Sequence, residues 1–301
     1  MRKVVITTNS ASISTEEAAK HDVTIIPFHI IMNGEDYLDP EIDMEKFYTR
    51  LSEKKRLPTT STPTVEEFLQ TFTELSQNAE TILHISMTKA FTVAYKLALQ
   101  AKEEAKEKLP KTTIEVIDSC TVAGGLALIC LEAAKAARQG KSLSEIIELV
   151  NHIIPRTTEL SARDTLFYLD KIGRIFEAKS WVKAESKTRF RAIVEIDAST
   201  GGVTKPIARA KTRTQIMQKM VDIAKERAVD KTVHAAILHT RAPDQAEQLK
   251  KMLLSQLQGE KTICEELHIG QGSATVAVAN GKGLIDLSFY SVDEKAMSLR
   301  R

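Results

Sequence analysis

In the first half of the chain, short apolar segments alternate with longer segments that carry one apolar face. The short segments have the length of strands and are rich in β-branched residues; they occupy residues 3–7, 22–32, 80–85 and 113–117. Between them, apolar residues recur at helical spacing, most clearly over residues 94–106 and 122–138. Strands that alternate with helices in this way predict a mainly parallel sheet of the α/β class.

After about residue 155 the pattern changes, because strand-like segments become more frequent. Two longer helical segments lie among them, near residues 214–226 and 243–257. The predicted strands occupy residues 192–196, 203–209, 233–239, 262–267, 273–279 and 284–290.

Two glycine-containing pairs in this second half, Gly201-Gly202 and Asn280-Gly281, are typical of hairpin turns. Frequent strands joined by hairpins favour a mixed or antiparallel sheet. We therefore predict an α/β domain over residues 1–157 and an α+β domain over residues 158–301.

Hydroxyl side chains cluster in two turns that lead into predicted helices of the first half. The first turn holds Thr60, Ser61 and Thr62, and the second holds Ser86 and Thr92. A helix N-terminus has unpaired N–H groups and a partial positive charge, so nearby hydroxyls would complete a site for an anionic head group. Taken alone, each turn also fits an ordinary helix cap or strand-to-helix loop.

Asn9 and Ser10 follow the first predicted strand in the same way. In open α/β sheets, ligands bind outside the carboxyl ends of the strands. We therefore expect these two residues to lie near the same head group.

Composition limits the classes of protein that fit the chain. Its 42 basic and 40 acidic residues give a net charge of +2, without the basic excess typical of nucleic-acid binders. Three cysteines without a CxxC pair do not predict a disulfide framework, which favours the cytoplasm. No segment reaches the roughly 18 to 20 apolar residues of a membrane-spanning helix, so we expect no integral membrane segment.

Motifs for catalysis or metal binding are missing from the sequence. The seven histidines show no HxxxH or HxH spacing, and no GxSxG or GxxxxGK[ST] motif occurs. We therefore expect no catalytic residue, no metal and no cofactor. Four basic residues remain, which either form a patch for an anionic ligand or an acidic partner or are simply solvated: Arg174, Arg209, Lys211 and Arg213.

Several short segments, spread over nearly the whole chain, occur in the order and spacing of one bacterial family. They are Thr60-Ser61-Thr62-Pro63, Phe91-Thr92-Val93-Ala94-Tyr95, Val116-Ile117-Asp118-Ser119, residues 169–175, Lys211-Thr212-Arg213 and Gly281-Lys282-Gly283. On these segments, the chain resembles the DegV family of fatty-acid-binding proteins.

The resemblance implies a soluble carrier with two domains and one long-chain fatty acid in a tunnel between them. The hydroxyls of Thr60 and Thr92 would hold the carboxylate. It also implies a partner, a fatty-acid kinase that phosphorylates the bound acyl group for phospholipid synthesis. The carrier itself would not be the catalyst.

The chain departs from the usual family pattern at three places. Asn9-Ser10 stands where the family usually has Asp-Ser, Val93 replaces a glycine, and Ala279 replaces a histidine. A hydroxyl is kept at Thr92.

Two other hypotheses remain open. One is an enzyme that acts on a small phosphorylated or acyl substrate at the same strand ends, for which Asp118 or His84 would be the general base. The other is a regulatory protein whose bound lipid reports membrane status to a partner.

Overall fold

The computed structural model describes residues 2–10, 12–53, 57–228, 231–257 and 263–293. Its strands are β1 (Arg2–Asn9), β2 (Val23–Ile26), β3 (His29–Met32), β4 (Glu35–Leu38), β5 (Thr59–Ser61), β6 (Ala79–Ser86), β7 (Thr113–Asp118), β8 (Thr157–Arg163), β9 (Arg191–Glu195), β10 (Lys205–Ala210), β11 (Thr232–His239), β12 (Ile263–Gln271) and β13 (Ile285–Val292). Its helices are α1 (Thr15–Lys20), α2 (Met44–Glu53), α3 (Val65–Ser76), α4 (Ala94–Lys108), α5 (Ala123–Arg138), α6 (Leu143–Ile153), α7 (Phe167–Lys171), α8 (Lys179–Thr188), α9 (Arg213–Arg227), α10 (Pro243–Leu257) and α11 (Ala274–Asn280).

The first half is built on a four-stranded sheet in the order β2-β1-β6-β7, in which every pair is parallel. The central strands are apolar because helices cover them; Ile6, Ile82 and Leu83 are fully buried. This confirms the predicted parallel α/β sheet.

The second half is built on a six-stranded sheet in the order β10-β9-β8-β13-β11-β12. The β11–β12 pair is parallel and the other pairs are antiparallel, which confirms the predicted mixed sheet. The Gly201-Gly202 turn joins β9 to β10, as predicted for a hairpin.

Helix α5 lies between the two sheets and contacts β1 on one side and β11 and β13 on the other. A side chain at Gly124 would place its Cβ 2.2 Å from Asp286 Oδ1 and 2.9 Å from Ser288 Oγ. Glycine at this position therefore lets the helix approach the six-stranded sheet closely.

The single strand predicted over residues 22–32 is wrong. Pro27 interrupts it, and the two parts, β2 and β3, belong to different sheets. Strand β3 pairs with β4 and β5 in a separate antiparallel sheet. Residues 59–61, predicted as a turn, therefore form an edge strand.

The strand predicted over residues 273–279 is also wrong, since these residues belong to helix α11. The carboxylate of Asp39 accepts hydrogen bonds from Ala274 N at 2.9 Å and Thr275 N at 3.2 Å, which satisfies two unpaired N–H groups at the helix start. Gly281, at φ +71°, follows the helix end, so the predicted Asn280-Gly281 hairpin does not form. Helix α11 contacts α2, β3 and β5, which connects the two halves of the chain.

Candidate functional site

A cavity of about 360 Å³ lies where the carboxyl ends of the parallel strands meet helices α7 and α11. This volume is within the range of about 300–1,000 Å³ that is usual for small-molecule sites. Apolar side chains make up much of the wall, among them Phe28, Met87, Phe91, Leu169, Ile172 and Val276.

The strand ends contribute to the cavity as expected for an open α/β sheet. Phe28 follows β2, Met87 follows β6, and Val122 lies between β7 and α5. The cavity is therefore at the predicted edge of the sheet.

Thr92 is buried, at 9% exposure, and lines this cavity just before helix α4. Its Oγ1 accepts a hydrogen bond from Ala94 N, the first N–H group of α4, at 3.1 Å. A hydroxyl also has one proton to donate, so Thr92 can keep this contact and bind an acceptor in the cavity at the same time.

Thr60 also lines the cavity, from the edge strand β5, where it pairs with Ile30. Within the described part of the chain, its hydroxyl has no hydrogen-bond partner, so it is available to a ligand. Thr62 lines the same cavity, whereas Ser61 does not.

Arg163, which the sequence analysis missed, lines the cavity from the end of β8 and is only 3% exposed. Its Nε donates to Asn280 Oδ1 at 2.5 Å, and its Nη1 donates to the Ser161 carbonyl at 3.4 Å. Burial lowers the pKa of Arg163 to about 10, and the nearby carboxyl groups of Glu159 and Asp286 oppose this shift. The guanidinium is therefore a buried positive charge at neutral pH.

Two more cations line the cavity, Lys171 and Arg174. The ammonium of Lys171 lies 5.5 Å from the centroid of the Phe167 ring, and Arg174 Nε donates to the Phe91 carbonyl at 2.5 Å. Over the described residues, neither these cations nor Arg163 forms an ion pair with a carboxylate. Among the described residues that line the cavity there is no aspartate or glutamate, so this part of the wall favours an anion.

Asn9, Ser10 and Ser86, which we expected near the head group, do not line the cavity. Asn9 Oδ1 accepts from Ser86 Oγ at 3.2 Å and from Met87 N at 3.0 Å. Ser10 Oγ accepts from Phe28 N at 2.9 Å. These side chains therefore fix the backbone of Met87 and Phe28, which do line the cavity.

The two candidate general bases also lie outside the cavity wall. His84 is fully buried, its Nδ1 is 2.9 Å from Thr7 Oγ1, and burial lowers its pKa to about 3. Asp118 accepts from Cys120 N at 3.0 Å and lies 3.6 Å from the Lys89 ammonium. Both have structural partners in the parallel sheet and its loops.

The four basic residues singled out from the sequence lie in different surroundings. Arg174 belongs to the cavity wall, and Arg213 pairs with Asp164. Arg209 is exposed, with its guanidinium 5.8 Å from the Trp181 ring centroid and 5.4 Å from that of Phe190. Lys211 is exposed.

The fold brings together two groups of histidine and glutamate side chains that the spacing of histidines and cysteines in the sequence did not indicate. In each group, one ligand atom per residue lies within 4.8 Å of the others. The groups are Glu17, His21 and His268, and Glu132, His234 and Glu266.

Beside Arg163, two buried carboxyl groups share one hydroxyl. Ser161 Oγ donates to Asp286 Oδ2 at 2.7 Å and also contacts Glu159. Strand register brings them together, since Asp286 pairs with Ser161 and Ser288 with Glu159. Burial raises the pKa of both carboxyl groups, and Asp286 raises that of Glu159 further.

These raised pKa values predict the effect of Asp286→Asn. Between the ordinary pKa of a carboxyl group and the raised pKa values of Glu159 and Asp286, the folded protein keeps protons that the unfolded chain releases. The free energy of unfolding of the parent therefore decreases as pH rises through this window. Asparagine lacks this ionisation, so the variant should gain stability relative to the parent by up to about 1.4 kcal/mol per pH unit in that window. Urea unfolding of both proteins between pH 5 and 8 measures the difference. A constant difference would contradict the raised pKa values.

The fold combines a parallel α/β sheet with a six-stranded mixed sheet beside a cavity, and comparison with known proteins gives its family. The profile described as "Uncharacterised protein, DegV family" matches residues 3–292. A DegV domain-containing protein of Clostridium perfringens is 30% identical over 281 residues, which cover 91% of this chain and 98% of that protein. The chain belongs to the DegV family.

Solved structures share this fold over nearly the whole chain. One, described as showing fatty acid binding of a DegV family protein from Thermus thermophilus, has a TM-score of 0.86 at 19% identity and covers 96% of this chain and 100% of that one. A stearic acid-binding protein from Eubacterium ventriosum has a TM-score of 0.83 at 22% identity and covers 99% of this chain and 100% of that one. Among the described residues, no helix has both the length and the apolarity to cross a membrane.

Proposed function

We propose that this protein is a non-catalytic carrier of a long-chain fatty acid. The observation that carries the proposal is the composition of the cavity wall. It combines apolar side chains with the hydroxyls of Thr60 and Thr92 and with the cations Arg163, Lys171 and Arg174, and no carboxylate occurs among its described residues. An amphipathic anion fits such a wall better than a neutral lipid or a phosphorylated sugar does.

In the proposed complex, Thr60 and Thr92 donate hydrogen bonds to the carboxylate. Charge-assisted bonds of this kind are stronger than neutral ones, and the positive charge of Arg163 adds to the attraction. The acyl chain would lie along the apolar wall. Burial of each CH₂ is worth about 0.8 kcal/mol, so a 16-carbon chain offers roughly 10 kcal/mol before ordering costs.

Two structural neighbours support this ligand class by their descriptions, one by fatty acid binding and the other by stearic acid. We propose that the acyl site is a tunnel between a domain of residues 1–157 and a domain of residues 158–301. The lining residues come from both segments, Phe91 and Thr92 from the first and Leu169 and Val276 from the second, which supports this division.

The proposed partner is a fatty-acid kinase, which would transfer the γ-phosphoryl group of ATP to the carboxylate and release ADP. The proposal rests on the family resemblance, and the exposed cations Arg209 and Lys211 are the candidate contact residues. Formation of acyl phosphate by a purified fatty-acid kinase, with and without the Arg209→Ala, Lys211→Ala double variant, tests it. Equal rates of acyl phosphate formation with the parent and the double variant would show that Arg209 and Lys211 do not contact the kinase.

The alternative enzyme hypothesis finds no general base in the described part of the cavity wall, where no histidine, aspartate or glutamate occurs. It would become the better account if a bound small molecule were turned over by the purified protein.

Binding of hexadecanoic acid and hexadecanol tests the ligand class directly. The two compounds share the chain, so the apolar wall contributes equally to both. Because only the acid carries a negative charge for Arg163 and the two threonines, we expect the acid to bind at least about tenfold more tightly. Calorimetric titration into delipidated protein measures the ratio. Equal affinities would show that the cations do not select the ligand.

A further inference from the structure

A group of three metal-ligand side chains lies away from the cavity, where helix α1 meets the edge strand β12. Glu17 Oε1 is 2.9 Å from His21 Nε2 and 4.0 Å from His268 Nδ1. The two imidazole rings are nearly perpendicular, at 84°, with their centroids 5.9 Å apart. All three residues are half-buried, so solvent and ions can reach them.

The two oxygens of the Glu17 carboxylate face different neighbours. The Lys20 ammonium is 3.5 Å from Glu17 Oε2, the other carboxylate oxygen, so Oε1 stays on the histidine side. The second nitrogen of the His268 ring, Nε2, is 3.9 Å from Glu266 Oε2.

We propose that Glu17, His21 and His268 form a binding site for a divalent transition-metal ion of the zinc class. Two imidazole nitrogens and one carboxylate oxygen suit zinc, and three protein ligands leave a fourth position for water. Glu266 Oε2, at 3.9 Å, would have to approach His268 Nε2 to accept its hydrogen bond, as a carboxylate commonly does behind a metal-bound histidine.

The second group, Glu132, His234 and Glu266, carries no such proposal, because its charges already have partners. His234 Nδ1 is 2.7 Å from Glu132 Oε1, and Nε2 is 2.9 Å from Glu265 Oε2. Lys135 pairs with Glu266. A metal would have to displace one of these contacts from a buried ring, whereas the Glu17 group has one nitrogen of each histidine facing the shared carboxylate.

One contact opposes the metal at the proposed site. Arg138 Nη2 is 3.2 Å from His21 Nδ1, so this nitrogen accepts a hydrogen bond and the ring proton lies on Nε2. To bind a metal through Nε2, the ring must carry its proton on Nδ1, and Arg138 must move away. Arg138 is exposed and can do so, and its removal should therefore strengthen metal binding.

The metal would join the two halves of the chain. Glu17 belongs to α1, which packs on the parallel sheet, and His21 directly follows the last residue of this helix. His268 belongs to β12 of the six-stranded sheet. None of the three lines the cavity, so the site is independent of the proposed fatty acid. A ligand that binds only the folded protein raises its melting temperature.

The test is calorimetric titration of Zn²⁺ into the untagged, chelator-treated full chain, with circular dichroism as the check of folding. We expect one equivalent to bind and the melting temperature to rise. His21→Ala and His268→Ala should each weaken binding by more than about 100-fold, whereas Glu266→Gln should weaken it by about 10- to 100-fold. Arg138→Ala should bind more tightly than the parent.

The matched control is His152→Ala, which removes a histidine that also contacts a carboxylate, Asp293, at 2.8 Å. This variant should bind zinc as the parent does. No binding by the parent, or a folded His21→Ala, His268→Ala double variant that keeps the full affinity, would overturn the proposal. Visible spectra of the cobalt(II) form, which report the ligands, must likewise change in the His268 variant and not in the control. Fatty acid binding is measured separately, so failure of either proposal leaves the other intact.

Discussion

Ala279→Trp is expected to reduce binding of a long-chain fatty acid by more than about 100-fold. Ala279 is half-buried on helix α11, and its side chain forms part of the cavity wall. An indole at this position would occupy the space proposed for the acyl chain, and each CH₂ kept out of the site forfeits about 0.8 kcal/mol. Equilibrium binding of radiolabelled hexadecanoic acid to the delipidated variant measures the loss.

The matched control places the same indole at the rim of the cavity. Val93 also lines the cavity, but it is 59% exposed, so a tryptophan there can extend into solvent. We expect Val93→Trp to keep the parent affinity within about threefold, since exposed substitutions usually change free energies by about 0.5 kcal/mol or less. If Ala279→Trp folds and binds as tightly as Val93→Trp, the acyl chain does not occupy this cavity.

The double variant Thr60→Val, Thr92→Val should have the second large effect, because it removes both proposed carboxylate donors while keeping the shape of the side chains. A hydrogen bond to a charged group is worth about 1.5–3 kcal/mol. The loss of two should weaken fatty acid binding by roughly 100-fold or more, with some departure from additivity between neighbouring groups. Binding of hexadecanol should change much less, because it carries no charge.

Thr88→Val is the control for the structural hydrogen bond that Thr92 accepts from Ala94 N. Thr88 is buried, and its Oγ1 accepts from Ala90 N at 3.3 Å, much as Thr92 Oγ1 accepts from Ala94 N. Thr88 does not line the cavity, so its variant should lose stability but not affinity. If the double threonine variant retained full affinity for the acid, the head-group assignment would be wrong.

The sequence predicted the parallel sheet and the helix starts well, because local signals determine both. Helices α4, α5, α9 and α10 begin within one residue of their predicted starts at residues 94, 122, 214 and 243. The order of apolar segments also predicted that Thr92 would lie at the edge of the sheet, and Thr92 does line the cavity there.

The failures occur where distant contacts decide the local structure. Residues 273–279 contain β-branched residues that favour a strand, but the carboxylate of Asp39, far away in the chain, stabilises the helix start. Arg163 could not be recognised as a cavity residue, since its neighbours Asn280 and Asp286 come from elements far along the chain. The Glu17, His21 and His268 group was missed for the same reason, because only the fold brings β12 to α1.

Denaturing extraction of the purified protein, followed by mass spectrometry of the organic phase, tests most directly whether this protein binds a long-chain fatty acid. We expect about one equivalent of a long-chain fatty acid from the parent protein and much less from Ala279→Trp. No fatty acid in the extract, even after incubation of the folded protein with a panel of long-chain acids, would contradict this expectation.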